Sequence, residues 1–179
     1  DLLSLIQIRK DEFERMMKEF EFKKYKAPSG WMLVLNYYRI IEFLNQSRYY
    51  LSRYFESVKE KKEIRLSLIY HHFDLNHIFV DQQKLISIDQ MKINYCIYDL
   101  VELFQNQKDL YECVALFDGY LEEIDLYQEE KLLLLCLLSI VPHVSLNEDE
   151  NNNIQEMAKL ICYMDGIVKI FKKIEIDEV

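Results

Sequence analysis

Glycine and proline are so scarce in this chain that it has few places to turn. Its 179 residues include three glycines and two prolines, the residue types that most often supply turns and end helices. Apolar residues recur at intervals of three and four over Leu2–Phe22, which predicts one amphipathic helix. Residues 26–30 should stop that helix. A second long helix is predicted over Trp31–Val58, with Ser29 as its cap.

The rest of the chain predicts a short β region followed by a helical bundle. Three β-prone runs separated by polar residues fall in the middle third, at Leu66–Tyr70, Ile78–Val80 and Leu85–Ile88. Beyond them the helical period returns, with breaks expected at Gly119 and Pro142. The predicted helices are Ile97–Phe104, Leu110–Leu121, Gln128–Ser139 and Ile154–Ile174. The fold class is therefore predicted to be mainly α with a small β element.

A single domain over residues 1–179 is expected, because a chain of this length with half its residues apolar can bury a sizeable core. We divide it into a helical entry over residues 1–62, a strand region over residues 63–100 and a helical bundle over residues 101–179. Five tyrosines of the second helix recur at helical spacing and are expected in the core. They are Tyr37, Tyr38, Tyr49, Tyr50 and Tyr54.

The charge balance excludes some classes of partner. A net charge of −9 and a pI near 5.0 argue against nucleic acid, whose phosphates require clustered Lys and Arg. The dense basic run Lys59–Lys62 is interpreted as a solvated helix end. No segment has the roughly 18 apolar residues that span a bilayer, so no membrane contact is expected. Four cysteines without a Cys-x-x-Cys pair predict buried thiols in a reducing compartment, the cytoplasm.

Three of the four histidines fall within seven residues, at His71, His72 and His77. Asp89 follows a second apolar run, and an Asp-Leu pair begins ten residues later at Asp99. This layout resembles the aminoglycoside phosphotransferase and choline kinase group, and within it the CotS-like spore-coat kinase-like family. Members of that group have a loop with His, Gly, Asp and then Asn, a strand ending in Ile-Asp, and an Asp-Leu pair that opens the next helix.

The resemblance covers most of residues 31–145 and is specific over residues 68–100. It implies the large, carboxy-terminal lobe of a protein-kinase-like fold, whose small nucleotide-covering lobe would precede residue 1. Phosphoryl transfer in such a lobe needs an Asp to receive the substrate's hydroxyl proton, and an Asn with a second Asp to hold Mg²⁺ on the phosphates of ATP. The family's equivalent of Asp99 opens a helix and braces the catalytic loop through hydrogen bonds, which gives Asp99 a structural role.

An ungapped alignment with the family finds several residue types replaced in this loop. Tyr70 stands where the family has His, His72 where it has the catalytic Asp, and His77 where it has the metal-binding Asn, whereas Asp89 keeps the metal-binding identity. Because Mg²⁺ prefers oxygen ligands, His77 is expected to weaken its site. A rival alignment gives the catalytic role to Asp74, at the cost of a two-residue deletion in the loop.

Three functional hypotheses follow. The first is a pseudokinase without a nucleotide cofactor, which binds protein partners in the cytoplasm or in the assembling spore coat. The second is an active small-molecule phosphotransferase that uses ATP and Mg²⁺, with His72 or Asp74 as the base and Asp89 on the metal. The third is a metal-dependent hydrolase that takes its ligands from the His71–His77 cluster and Asp89.

Overall fold

The computed structural model describes residues 1–25, 27–71, 78–79, 81, 84–86, 88–106, 110–174 and 176. This part of the chain forms long helices and short strands. The helices are α1 (Leu2–Phe22), α2 (Pro28–Val58), α3 (Ile97–Asn106), α4 (Leu110–Glu123), α5 (Gln128–Ser139) and α6 (Glu150–Phe171). The strands are β1 (Ser67–Ile69), β2 (Ile78–Phe79), β3 (Lys84–Leu85) and β4 (Lys92–Asn94). The prediction of a mainly helical chain with a small β element is confirmed.

Helices α1 and α2 form a hairpin that closes at Gly30. In α1 the side chains of Ile6, Phe13 and Phe20 are buried at intervals of seven residues, so they lie on one face. Gly30 packs against the last of them. A Cβ atom at residue 30 would lie 2.6 Å from a ring carbon of Phe20, so the two helices approach this closely only where a side chain is missing.

The start of α2 differs from the prediction. The helix begins at Pro28, because proline is favourable in a first turn, where the backbone N–H groups lack intrahelical partners. Ser29 is therefore inside the helix and does not cap it. Instead its backbone N–H and its hydroxyl donate to the two carboxylate oxygens of Glu150, at 2.7 and 3.0 Å. Glu150, at the start of α6, thus accepts an N–H group of the first turn of α2 that has no partner within its own helix.

Helix α5 is the central element of the core. It packs against α2, α3 and α6, and its run of apolar residues from Leu132 to Leu138 is buried on every side. Two side chains from neighbouring helices donate hydrogen bonds to its carbonyl groups. The Ser47 hydroxyl reaches the carbonyl of Cys136 and the Tyr163 hydroxyl reaches that of Leu138, each at 2.9 Å. A helix that is apolar all round is stable only when it is enclosed in this way.

The strand region contains two antiparallel pairs, β1 with β4 and β2 with β3. The β-prone runs over residues 66–70 and 78–80 each contain a strand, whereas among the described residues of 85–88 only Leu85 is in one. Strand β4 was not predicted. It pairs with β1 so that Leu68 faces Ile93 across the ladder. Both side chains are exposed, so this small sheet buries one face and leaves apolar residues on the other.

Four further expectations are wrong. Tyr38 and Tyr49, expected in the core with the other tyrosines of α2, are exposed, because they lie on the side of that helix turned away from the buried Leu33. Gly119 does not break a helix but lies inside α4. Helix α6 begins four residues before the predicted Ile154, because the Asp149 side chain accepts the backbone N–H of Asn151 and caps it there. Of the cysteines, Cys136 is buried but Cys162 is exposed.

Within the described residues, none of the helices combines the length and the apolar character that a bilayer crossing requires.

Candidate functional site

The carboxylate of Asp99 fixes the backbone where β1 ends. Asp99 lies in the first turn of α3, and its two oxygens accept the backbone N–H groups of Tyr70 and His71, at 2.8 and 3.0 Å. Hydrogen bonds to an ionised acceptor are stronger than those between neutral groups. A carboxylate is also favourable in the first turn of a helix, where the helix dipole is positive. Asp99 therefore ties β1 to α3 at the residues that lead into segment 72–77.

His71 is held in a backbone conformation that non-glycine residues seldom adopt. Its φ is 61°, in the left-handed region. Its ring Nδ1 lies 3.0 Å from a carboxylate oxygen of Glu102, and its Nε2 lies 3.1 Å from the ammonium of Lys92. Since an ammonium can only donate, Nε2 accepts from Lys92, and Nδ1 carries the proton given to Glu102. We call this group of Tyr70, His71, Lys92, Asp99 and Glu102 the loop brace.

Three elements converge to build the loop brace. Glu102 lies one turn beyond Asp99, so both carboxylates leave the same face of α3. Lys92 pairs with Ile69 in the sheet, which places its side chain beside the end of β1. Side chains that lie about 20 to 30 positions further along the chain thus meet around the strained backbone of His71. Strain of this kind persists only when surrounding contacts enforce it, and it occurs preferentially at functional sites.

The predicted site residues divide into two groups. His72, Asp74 and His77 lie outside the described residues. Asp89 lies in a short 3-10 helix, Ile88–Gln90, just before β4. Its carboxylate is exposed and makes no hydrogen bond or ion pair with the described part of the chain. As far as the described residues reach, the Asp89 carboxylate is therefore available as an oxygen ligand.

The described residues contain no group of three or more His, Cys, Asp or Glu side chains that could hold a metal ion. The metal-hydrolase hypothesis therefore depends on positions beyond them. The histidine outside the cluster, His143, is exposed and lies 3.2 Å from a carboxylate oxygen of Glu12, so its contact is with α1.

A second charged cluster, which sequence reasoning missed, lies at the start of α5. The carboxylates of Glu129 and Glu130 are buried, at 2% and 1% exposure. Arg65 donates from Nε to Glu130 at 2.9 Å and also pairs with the second oxygen of that carboxylate through its terminal nitrogen. Lys61 pairs with Glu129 at 2.5 Å. We call these four residues the buried ion pairs.

The buried ion pairs attach the segment between α2 and β1 to the first turn of α5. Arg65 also donates to the carbonyl of Asp125 at 2.8 Å, and its guanidinium lies 4.1 Å from the centre of the Tyr127 ring. Glu130 in turn accepts the backbone N–H of Tyr127 at 2.9 Å, which satisfies an amide at the helix start. Hydrogen bonding to Glu130 raises the pKa of Arg65 further above its already high value.

Two tyrosine hydroxyls lie beside this cluster. Those of Tyr54 and Tyr95 are 2.9 Å apart. Burial, together with the hydrogen bond to Tyr54, raises the pKa of Tyr95 well above its ordinary range, and the negative charges of Glu129 and Glu130 act in the same direction. Tyr95 is therefore a neutral hydrogen-bonding group at physiological pH.

Some of these contacts leave a trace in the sequence. Glu102 follows Asp99 by three residues, a spacing that places both on one helix face. A pair of glutamates one residue before a run of leucines is a signal that charges enter the core at a helix start. Nothing nearby identifies Lys61 and Arg65 as their partners. Comparison of the chain with protein-family models, with curated proteins and with solved structures found no match.

Proposed function

We propose that this chain is the carboxy-terminal lobe of a kinase-like protein of the aminoglycoside phosphotransferase group, in which phosphotransfer is lost and a binding or scaffolding role remains. The observation that carries the proposal is the pair of hydrogen bonds from Tyr70 and His71 to Asp99. The family resemblance implies an aspartate that opens a helix and braces the catalytic loop. Asp99 opens α3 and holds the backbone at the entrance to residues 72–77, which supports that role.

The identity of the loop residues supports the loss of catalysis. Transfer of the γ-phosphoryl group depends on positioning and on metal ions that neutralise the phosphates. Under the ungapped alignment the base position holds His72 and the amide ligand of Mg²⁺ is replaced by His77. A hard ion loses affinity when an oxygen ligand becomes an imidazole nitrogen. Asp89 alone would then hold the metal, which is too little for a tight site.

The outer face of the β1–β4 sheet supports a binding role. Leu68 and Ile93 lie opposite each other in the ladder, and both are exposed. Ile64 and Leu66 alternate with inward-facing residues just before β1 and are exposed as well. Grouped exposed apolar side chains are typical of protein interaction surfaces. In the spore-coat family such a surface would serve assembly into a protein layer.

One observation favours the alternative, an active phosphotransferase that uses ATP and Mg²⁺. The carboxylate of Asp89 is exposed and has no partner among the described residues, so it is free to bind a metal ion. His72 or Asp74 would then accept the proton of the substrate hydroxyl. The two functions differ in whether nucleotide binds in a manner that requires both Mg²⁺ and Asp89.

Calorimetric titration of Mg²⁺-ATP into the intact protein separates the two. The Asp89→Ala variant removes the free oxygen ligand, and Asp81→Ala is its matched control, because Asp81 is also an exposed carboxylate of the strand region. The proposal predicts no Mg²⁺-dependent binding at millimolar nucleotide in any of the three proteins. Binding that requires Mg²⁺, survives Asp81→Ala and disappears in Asp89→Ala would contradict it, favour the active enzyme and justify a screen for the phosphate acceptor.

A further inference from the structure

One face of α2 is exposed along most of the helix. Leu35 and Tyr38 are 79% and 80% exposed, and Trp31 and Tyr49 are 52% and 54% exposed. Together these four side chains present roughly 500 Å² of mostly apolar surface, since one large aromatic side chain has about 150–250 Å² to bury. An apolar surface of this extent on a folded domain indicates a contact site.

The spacing of the exposed residues is that of a coiled-coil seam. Exposed side chains recur along α2 in alternating steps of four and three residues. Such steps keep side chains on one stripe of a helix, and two helices pack against each other along stripes of this kind. The buried Leu33, Ile40 and Leu44 lie on the opposite side, against the core. We call the exposed stripe the outer seam of α2; its members are Trp31, Leu35, Tyr38, Glu42, Asn45 and Tyr49.

The outer seam carries little charge for a chain whose net charge is −9. Its one ionised side chain is that of Glu42, and Asn45, one turn further on, has an amide that can donate to a carboxylate. A strongly basic or strongly acidic partner would find no matching charge pattern on this stripe. A second copy of the chain would meet little like-charge repulsion there, because the stripe supplies both a carboxylate and a donor for it.

We propose that the outer seams of two copies of this chain pack against each other as an antiparallel pair, which goes beyond the function proposed above and does not depend on it. In a two-fold symmetric interface every contact between two residues occurs twice, once in each direction. If Glu42 lies opposite Asn45 of the second copy, the equal rise per residue in both helices places Tyr38 opposite Tyr49 of the second copy. The interface then has two carboxylate–amide contacts at its centre, flanked by two pairs of aromatic rings.

Charge favours the antiparallel arrangement. In this register Trp31, at the start of the seam, comes opposite the exposed Glu56 of the second copy, whose carboxylate can accept from the indole N–H. Each carboxylate of the interface thus faces a donor. A parallel pair in register would instead place Glu42 beside Glu42 of the second copy, which is a repulsive contact.

The dimensions of the outer seam fit a dimer. At 1.5 Å per residue, Trp31 and Tyr49 are separated by about 27 Å along α2. The apolar side chains of the seam, with the polar side chains between and beside them, approach the ~800 Å² that each partner buries in a stable interface. Aromatic residues are also enriched at the centres of such interfaces.

Tyr49 is held in position for this contact. Arg53 donates to its hydroxyl at 2.9 Å, and the ring of Tyr50 lies edge-on to its ring, with 5.4 Å between the centroids. A side chain that is ordered before association loses less conformational entropy when it binds.

Analytical ultracentrifugation over a range of protein concentrations tests the proposal. The unmodified protein is expected to sediment as a dimer at high concentration and to dissociate on dilution. Tyr38→Glu should raise the dissociation constant about tenfold or more, because both copies lose an aromatic contact and each brings a carboxylate into the interface. Phe55→Glu is the matched control, since Phe55 is an exposed aromatic residue of the same helix at a position outside the steps of the seam. It should leave the dissociation constant unchanged.

Substitutions of Asn45 test the antiparallel register. Asn45→Lys places an ammonium opposite Glu42 of the second copy and should strengthen the dimer, whereas Asn45→Glu places a carboxylate there and should weaken it. In a parallel pair both variants would weaken the dimer, because residue 45 would lie beside its own equivalent. Asn45 is exposed, so both variants should keep the fold, which circular dichroism checks.

Three results would overturn the proposal. They are an unmodified protein that stays monomeric at every concentration, a dimer that is unaffected by Tyr38→Glu, and an equal loss of association in Phe55→Glu. In the first case the outer seam would be assigned to a different protein partner. Weakening by both Asn45→Lys and Asn45→Glu would overturn the antiparallel arrangement.

Discussion

The loop brace and the buried ion pairs both involve the segment between α2 and α3. They differ in how deeply their charged side chains are buried and in what those side chains contact. Glu129 and Glu130 are almost fully buried, and each faces a cation. In the loop brace, the side chains of His71 and Glu102 retain 25% and 20% exposure, and Asp99 binds backbone amides. The buried ion pairs join elements of the core. The loop brace holds one strained residue, His71, beside residues 72–77.

Removal of Glu130 should have the largest effect. Glu130→Ala leaves the Arg65 guanidinium without its main partner and deprives the Tyr127 amide of its acceptor. Breaking a buried pair by removing one partner costs about 3 kcal/mol of unfolding free energy. Urea unfolding measures it, with Glu122→Ala on the surface of α4 as the control. A loss as small as that of the control would show that the buried ion pairs do not stabilise the core.

Removal of Asp99 should have a smaller but clear effect. Asp99→Ala leaves the amides of Tyr70 and His71 without their acceptor, which costs about 1–3 kcal/mol. Asp99→Asn keeps one carbonyl oxygen, so its stability should lie between those of the unmodified protein and Asp99→Ala. Thermal unfolding gives the comparison. A melting temperature that is the same in all three proteins would exclude the bracing role.

Substitutions of His71 test whether the brace stores backbone strain. Ala and Gly both remove the ring contacts with Lys92 and Glu102, but only Gly adopts a φ of 61° without steric cost. His71→Gly should therefore be more stable to urea than His71→Ala by about 1 kcal/mol. The reverse order, which is normal where φ is negative, would mean that His71 is not held in the left-handed region.

The contact between Glu150 and Ser29 offers a smaller, pH-dependent comparison, because it too joins a carboxylate to a backbone amide. The hydrogen bond from the Ser29 N–H lowers the pKa of Glu150 below its ordinary value of 4.5, against the effect of burial. A depressed pKa stabilises the fold above the ordinary carboxyl pKa, and this contribution disappears as pH falls through the folded-state value. Unfolding free energies at successive pH values should show the wild type losing its advantage over Glu150→Gln on acidification. A pH-independent difference would contradict this.

The helices were largely predictable because burial imposes a period on the sequence. In α1 the buried Ile6, Phe13 and Phe20 repeat along one face, so the range Leu2–Phe22 could be obtained from spacing alone. The start of α2 could not. Its amide end is satisfied by Glu150, a residue 121 positions away, and no local signal announces such a contact.

The candidate site was less predictable, because strands of two or three residues leave little pattern. Strand β4 exists through its pairing with β1, and Lys92 reaches His71 only because of that pairing. Asp99 was found through its spacing from Asp89. The partners of Glu129 and Glu130 come from a segment some 65 residues earlier, and only the fold brings them together.

Native-state hydrogen exchange tests most directly whether the loop brace acts locally. The amides of Tyr70 and His71 are predicted to be protected in the unmodified protein and to exchange much faster in Asp99→Ala, while the amides of α5 keep their protection. Glu130→Ala should instead weaken protection at the start of α5. Free exchange of these two amides in the unmodified protein, or an equal loss of protection in α5 of Asp99→Ala, would show that the loop brace does not act locally.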